Sequence, residues 1–197
     1  FKDAVIHDFV SETDTETHQQ FACFSIDLSD KTTYIAFRGT DDTLTGWQED
    51  FCLSYETVPA QISAVNYLNK HIRRGRKYRI GGHSKGGNLA VYSVLSLKRN
   101  RSNILNIYSN DGPGLYFRYL TEEQKKAFAY FEPRIIKIIP EFDVFGMMFS
   151  RIPNTIVIKS DAFTLLQHSA MSWLVEGKNF VPGTLSKESK ALQKELD

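Results

Sequence analysis

Ser84 is the residue with the clearest capacity for chemistry, because glycines stand two positions before and two positions after it. Residues 78–90 read YRIGGHSKGGNLA, and this run changes from strand-like alternation to helical spacing at the serine. A sharp turn there strains the serine backbone and lifts its Oγ above the sheet edge, while side chains at Gly82 and Gly86 would collide with the neighbouring strand or helix. The pattern predicts a nucleophile, with an ordinary serine on a glycine-rich connection as the alternative.

A nucleophilic serine needs a general base, and His168 fits best among the five histidines. It is the last one in the chain, and it follows the final predicted strand. Two of the others precede the turn, and one ends a basic helix (His7, His18 and His71). His83 adjoins Ser84, but we expect its side chain to point away from the serine. A capping or core histidine is the alternative for His168.

Three aspartates compete for the role of the acid that orients the base. We favour Asp143, because it follows a strand at the position where such an acid commonly comes and its neighbours are apolar, so that a buried carboxylate there needs an imidazole N–H. Asp111 lies one strand earlier, in a Gly-Pro-Gly turn, and its alternative role is simply to order that turn. Asp161 precedes His168 and ranks last.

An oxyanion hole requires two hydrogen-bond donors near Ser84. The turn itself supplies the backbone N–H of Lys85. We expect the second donor from Thr40, through its N–H or its hydroxyl, since Thr40 ends an earlier predicted strand and Gly39 permits close approach.

The elements that must position these residues alternate between strands and helices. We predict strands near 21–28, 33–38, 78–80, 103–109, 134–139 and 155–159, and helices near 59–74, 89–94, 115–131 and 186–197. Residues 1–10 fit an edge strand or a short helix. The fold class is therefore α/β, with a mostly parallel sheet, helices on both faces and an antiparallel N-terminal edge. Candidate site residues follow the strands, where sites of such sheets lie.

Composition limits the remaining possibilities. A chain of 197 residues suits a single domain, 1–197, although it starts with Phe1 and further residues can precede it. Its formal charge of +1 and the absence of a long apolar run argue against nucleic-acid partners and an integral membrane segment. The basic end of the 59–74 helix complements the helix dipole. No metal-ligand spacing or cofactor motif is present, and we expect buried free thiols at Cys23 and Cys52.

Several motifs together resemble a known superfamily. They are FRGTDD at 37–42, GWQEDF at 46–51, GHSKGGNLA at 82–90, DGPG at 111–114 and QH at 167–168. The set, spread over about residues 20–175, is similar to class 3 (triacylglycerol) lipases and more closely to a bacterial lipase-like branch of the α/β-hydrolase superfamily with no established function. The resemblance implies an α/β-hydrolase fold with Ser84 as nucleophile, His168 as base, Asp143 as acid, and Thr40 and Lys85 as oxyanion donors.

Two departures from class 3 lipases concern the substrate. Those enzymes usually have Leu at position 85 and a Gly-x-Pro-Arg turn near 111–114, so the lipid substrate does not carry over. Lys85 either places a cation at the mouth of the site or is simply solvated. The apolar segment 142–149 either lines an acyl groove, with Phe145, Met147, Met148 and Phe149 as pocket candidates, or packs as core.

The first hypothesis is a serine hydrolase that cleaves a carboxylic ester or thioester through an acyl-enzyme. Since residues 40–47 are too short for a helical lid, a small-molecule ester with a short or soluble acyl group is favoured over an aggregated lipid. Alternatives are a serine peptidase or acyltransferase with the same triad, and a catalytically silent binding protein. The absence of a signal-peptide pattern favours a cytoplasmic location. The sequence does not specify an oligomeric state.

Overall fold

A sheet of strands in sequential order forms the centre of the structure. The computed structural model of the chain describes residues 3–14, 16, 19–39, 57–149 and 152–195. Within these ranges the sheet has seven strands in the order β1 to β7. They are β1 (Val5–Asp14), β2 (Gln19–Asp27), β3 (Thr32–Phe37), β4 (Lys77–His83), β5 (Ile104–Asn110), β6 (Ile135–Pro140) and β7 (Thr155–Ile158).

Helices connect the parallel strands, and short elements follow the last one. The α-helices are α1 (Pro59–His71), α2 (Lys85–Leu95), α3 (Glu122–Phe131) and α4 (Lys187–Glu195). Single 3₁₀ turns occupy Arg101–Asn103, Phe117–Tyr119, Glu132–Arg134, Thr164–His168 and Ala170–Ser172. A small antiparallel hairpin joins β8 (Val175–Glu176) to β9 (Asn179–Phe180).

The strand pairing confirms a mostly parallel sheet with an antiparallel N-terminal edge. Strands β1, β2 and β3 pair antiparallel, and β3 to β7 pair parallel. For residues 1–10 the sequence allowed an edge strand or a short helix, and the structure has the edge strand β1 from Val5 onward. Strands β2 and β3 form a hairpin, and Lys31 in its turn has a positive φ of 64°.

The helices α1, α2 and α3 lie on one face of the sheet, so the prediction of helices on both faces is wrong for them. Helix α2 packs on β3, β4 and β5, and both α1 and α3 contact α2. The physical reason is the strand order: the parallel strands are added in one direction, and right-handed crossovers then place every connecting helix on the same side.

The main core fills the space between these helices and the sheet. Alternate residues of the central strands point into it and are fully buried, among them Ile35, Ile80 and Ile107. The opposite face has a smaller cluster, in which Trp173 packs on Ile138 and Ile158. Trp173 therefore anchors the segment after β7 that carries His168.

Two smaller predictions concern the thiols and the membrane. Cys23 is a buried free thiol, as expected, and burial raises its pKa to about 12; Cys52 lies outside the described residues. Among the described helices, none combines the length and the hydropathy that a membrane crossing requires.

Candidate active site

Ser84 sits on a strained turn between β4 and α2. Its backbone has φ 55° and ψ −130°, a conformation that L-residues rarely adopt. The flanking glycines make the turn possible, because a Cβ on Gly82 would lie only 2.5 Å from the Phe37 carbonyl oxygen, and one on Gly86 would be closer still. The main chain is pinned to the next strand, where the Ser84 N–H donates to the Asn110 carbonyl at 2.9 Å.

The imidazole of His168 joins Ser84 to a buried carboxylate. His168 Nε2 lies 3.0 Å from Ser84 Oγ, and its Nδ1 lies 2.7 Å from Asp111 Oδ2. With the proton on Nδ1, the ring donates to Asp111 and accepts from the Ser84 hydroxyl. His168 is one-fifth exposed and Asp111 almost fully buried, so the chain of hydrogen bonds runs from the surface of the sheet edge into its interior.

The aspartate that contacts the imidazole is Asp111 and not the favoured Asp143. Asp111 follows β5, which lies directly beside β4, so its carboxylate reaches the neighbourhood of Ser84. Asp143 follows β6, one strand further away, and its Oδ1 accepts a hydrogen bond from the Gly146 N–H at 2.8 Å. Sequence order alone did not distinguish the two, because both follow parallel strands that end at this edge. Asp161, the third candidate, uses its backbone N–H to bond Ser172.

Asp111 nevertheless has Asp143 as its close neighbour. The Gly146 N–H donates to both carboxylates, at 3.1 Å to Asp111 Oδ1 and 2.8 Å to Asp143 Oδ1. A Cβ on Gly146 would come within 2.6 Å of Asp111 Oδ1 and 2.9 Å of Asp143 Oδ2, which shows how tightly the two groups enclose this residue. Burial raises the pKa of Asp111 to about 6, and burial together with the adjacent Asp111 raises the pKa of Asp143 well above its usual range.

A buried lysine completes the charged groups beneath the triad. Lys137 is 2 % exposed on β6, and its ammonium has no hydrogen-bond partner among the described residues. Burial lowers its pKa, against the attraction of Asp143 and Asp111. Lys137 was not predicted as part of the site, and the available sequence signal was a lone lysine inside the apolar run Ile-Ile-Lys-Ile-Ile.

Only part of the predicted oxyanion hole falls within the described residues. Lys85 is the first residue of α2. The backbone N–H groups in the first turn of a helix have no carbonyl acceptor within that helix, so the Lys85 N–H is in a suitable position to bind an oxyanion. Thr40 lies outside the described residues. The Lys85 side chain is fully buried, which corrects both interpretations offered for it, a cation at the site mouth and a solvated side chain.

His83 and Asn88 brace the site and were not predicted. The His83 ring contacts the His168 ring at a tilt of 40° with centroids 4.7 Å apart, and its Nε2 lies 2.6 Å from the His168 carbonyl oxygen. Burial lowers the pKa of His83, which favours a neutral ring that donates this bond. The buried Asn88 amide donates to the carbonyls of Pro113 and Gly114, tying α2 to the turn after Asp111.

The apolar segment 142–149 borders the imidazole. Phe145 packs on the His168 ring with centroids 4.4 Å apart, and Phe149 meets Tyr116 edge-on at 6.1 Å. Met147 and Met148 are half-buried, as are both phenylalanines. The segment is therefore neither fully core nor fully open, and its role as an acyl groove stays a prediction.

Taken as chemistry, the geometry suits nucleophilic attack by a hydroxyl. His168 is within hydrogen-bond reach of the Ser84 proton, and a buried carboxylate fixes the imidazole tautomer. The N-terminus of α2 lies next to the reacting oxygen and favours negative charge there. Within the described residues, no group of histidine, cysteine or carboxylate side chains is arranged to hold a metal ion.

Comparisons with known proteins found a matching family model and several similar solved structures. A family model described as Mbeg1-like matches residues 1–197. A deletion mutant of the Rhizomucor miehei lipase propeptide complex is similar at TM-score 0.47 and 16 % identity, over 81 % of this chain and 57 % of that chain. The native complex gives 0.45 and 14 %, over 79 % and 57 %. The chain thus spans little more than half of those lipase chains. No curated protein matches it.

Proposed function

The chain belongs to the Mbeg1-like family, and we propose that it is a serine hydrolase that cleaves a carboxylic ester or thioester. The observation that carries the proposal is the hydrogen-bonded series from Ser84 through His168 to Asp111, with Ser84 held at a positive φ. Strain of this kind persists only where the surrounding structure enforces it, and it is typical of functional positions.

In the proposed reaction, Ser84 Oγ attacks the carbonyl carbon while His168 Nε2 takes the hydroxyl proton. The imidazolium that forms keeps its Nδ1–H bond to Asp111, and it then returns a proton to the leaving oxygen or sulfur. Water hydrolyses the acyl-enzyme by the same steps. The Lys85 N–H and Thr40 are the proposed donors to the oxyanion.

The proposal also covers the domain organisation of the chain and the class of its substrate. We propose a single α/β-hydrolase domain, for which the largely parallel sheet and the strand–turn–helix at Ser84 give support. A small-molecule ester with a short or soluble acyl group is the favoured substrate, with residues 142–149 beside the leaving or acyl group. The cytoplasmic location stays a prediction.

Labelling with a fluorophosphonate probe tests the nucleophile directly. We expect the wild-type chain to be labelled once, the Ser84→Ala variant to lose the label, and the surface variant Ser102→Ala to keep it. Turnover of a short-chain p-nitrophenyl ester should fall by about 10⁶ in Ser84→Ala if the three residues act as a unit. A wild-type chain that is folded and takes no label would refute the proposal.

A substrate panel then separates the ester hydrolase from its alternatives. Short-chain esters, matched amides, and esters with an added acceptor alcohol report hydrolase, peptidase and acyltransferase activity respectively. Much faster turnover of long-chain emulsions than of short-chain esters would contradict the favoured substrate class.

A further inference from the structure

The carboxyl groups of Asp111 and Asp143 are both buried and lie on either side of the same residue. They enclose Gly146 and share its N–H as a donor. Two carboxylates that share a site in this way hold one proton between them, because the second negative charge would be buried beside the first.

The hydrogen-bond partners indicate where that proton resides. Asp111 Oδ2 accepts from His168 and Asp111 Oδ1 accepts from Gly146, so Asp111 functions as an acceptor at both oxygens. Asp143 Oδ1 also accepts from Gly146, but Asp143 Oδ2 is buried without an acceptor or donor partner among the described residues. A hydroxyl on Asp143 Oδ2 would donate to Asp111 and remove this orphaned atom.

Lys137 supplies the opposite charge. Its buried ammonium makes no hydrogen bond within the described chain, and the charges that act on it are those of Asp143 and Asp111. One ionised carboxylate and one ammonium leave the group neutral overall, which lowers the cost of burying either charge.

Among the residues that the structure describes, the titratable groups that act on this group are its own members and the imidazole: Asp111, Asp143, Lys137 and His168. The facing positions on β5, β7 and α4 are neutral hydroxyls: Ser109, Thr155 and Ser189. The nearby Glu141 carboxylate instead accepts from the Thr184 N–H.

We propose that Asp143 and Lys137 are positioning residues for the catalytic aspartate. Asp143 stays protonated and donates to Asp111, and the Lys137 ammonium keeps Asp111 ionised, so that Asp111 remains an acceptor for the His168 N–H. This inference rests on the proposed function, in which Asp111 orients the base. It assigns Asp143 a neutral role in place of the ionised role that its sequence position indicated.

Substitution of Asp143 by two different residues gives a sharp test. Asp143→Asn keeps the shape and offers an amide donor, so we expect kcat/KM on a short-chain p-nitrophenyl ester within about threefold of wild type, whereas an ionised triad acid loses about 10⁴ on the same change. Asp143→Ala removes the donor, and we expect kcat/KM to fall by about 10- to 100-fold. Losses of this size are typical when the hydrogen bond that orients a functional side chain is removed. An Asp143→Asn variant as impaired as Asp111→Asn would overturn the proposal.

The pH profile separates positioning from a merely structural role. In Lys137→Met, Asp111 loses the nearby cation and protonates more easily, so the acid limb of kcat/KM should move to higher pH by about one unit, with Asp143→Ala shifting the same way. An unmoved limb in a folded Lys137→Met protein would contradict the role of Lys137. Thermal melts of each variant establish folding.

A direct reading of the proton does not depend on activity. Carboxyl ¹³C NMR of the full chain should show Asp143 protonated at neutral pH and Asp111 ionised, and an ionised Asp143 would refute the inference. Failure of the wild-type chain to take the fluorophosphonate label would refute the proposed function, and the NMR titration would still report the proton between the two carboxyl groups.

Discussion

Two groups of charged side chains in this protein have similar members and opposite behaviour. The buried cluster comprises Asp111, Asp143 and Lys137 beneath His168. The edge cluster lies between β1, β2 and α1, and its members are His7, Asp8, Asp27, His71 and Arg76. Both combine carboxylates with a histidine and a cation, and both contain charge-assisted hydrogen bonds of 3.0 Å or less.

Exposure to water accounts for the difference. In the edge cluster, the hydrogen bond to His7 holds the pKa of Asp8 below its usual range; for Asp27, burial opposes the shift, but bonds to His7 and Thr33 outweigh it. In the buried cluster, loss of hydration dominates and raises the pKa of both aspartates. The same residue types are therefore stabilised as ions at the surface and penalised as ions beneath Ser84.

The largest expected contrast between the clusters is in activity. Asp111→Asn should lower kcat by about 10⁴, because the amide NH2 can donate to Nδ1 and so favours the His168 tautomer with its proton on Nε2, and because the neutral amide no longer stabilises the imidazolium. Asp27→Asn removes a carboxylate of the same type from the edge cluster and should leave ester turnover unchanged. Steady-state kinetics on one ester checks both, and equal effects would remove the distinction.

The histidine pair offers a smaller contrast within the site. His83→Phe keeps an aromatic ring against His168 but removes the donor to the His168 carbonyl oxygen. We expect kcat to fall by about tenfold, since a slightly misplaced base is costly, with KM little changed. The matched change His7→Phe in the edge cluster should not affect kcat, and a loss there equal to that of His83→Phe would contradict the assignment.

Much of this architecture followed from local sequence. The alternation in residues 21–28 and the glycines around Ser84 were sufficient to predict β2 and the turn, because both depend on short-range sterics. The choice between Asp111 and Asp143 was not predictable in the same way, since both follow parallel strands and the outcome depends on which strand is adjacent to β4. The face on which α1 and α3 pack depends likewise on strand order, which is a property of the whole sheet.

The two clusters should also give opposite dependences of stability on pH. The folded pKa values of Asp111 and Asp143 are raised above 3.8, so their contribution is fully present below about pH 4 and is lost as the pH rises through the folded values. The pKa of Asp27 is lowered, so its contribution is present above about pH 4 and is lost as the pH falls.

Urea unfolding of wild type, Asp143→Asn and Asp27→Asn across this range measures the two signs. Between about pH 4 and pH 7, where the amine of Lys137 is charged in both states because its folded pKa is about 8, wild type should lose free energy of unfolding relative to Asp143→Asn as the pH rises. Relative to Asp27→Asn, it should lose free energy of unfolding only as the pH falls below about 4, through the lowered folded pKa of Asp27. If the free energy of unfolding of the two variants, relative to wild type, changed with pH in the same way, burial would not account for the difference between the clusters.

The smallest expected effect belongs to His7. Its pKa is raised, chiefly by the hydrogen bond to Asp27 and against some desolvation, so its stabilisation is present below about pH 6.5 and is lost as the pH rises through the folded value. Since its side chain is 37 % exposed, His7→Asn should cost only a few tenths of a kcal/mol at about pH 5 and less in about 1 M salt. A cost above about 2 kcal/mol that salt does not reduce would mean that the edge cluster behaves as a desolvated charge pair, and the contrast with the buried cluster would then require a cause other than hydration.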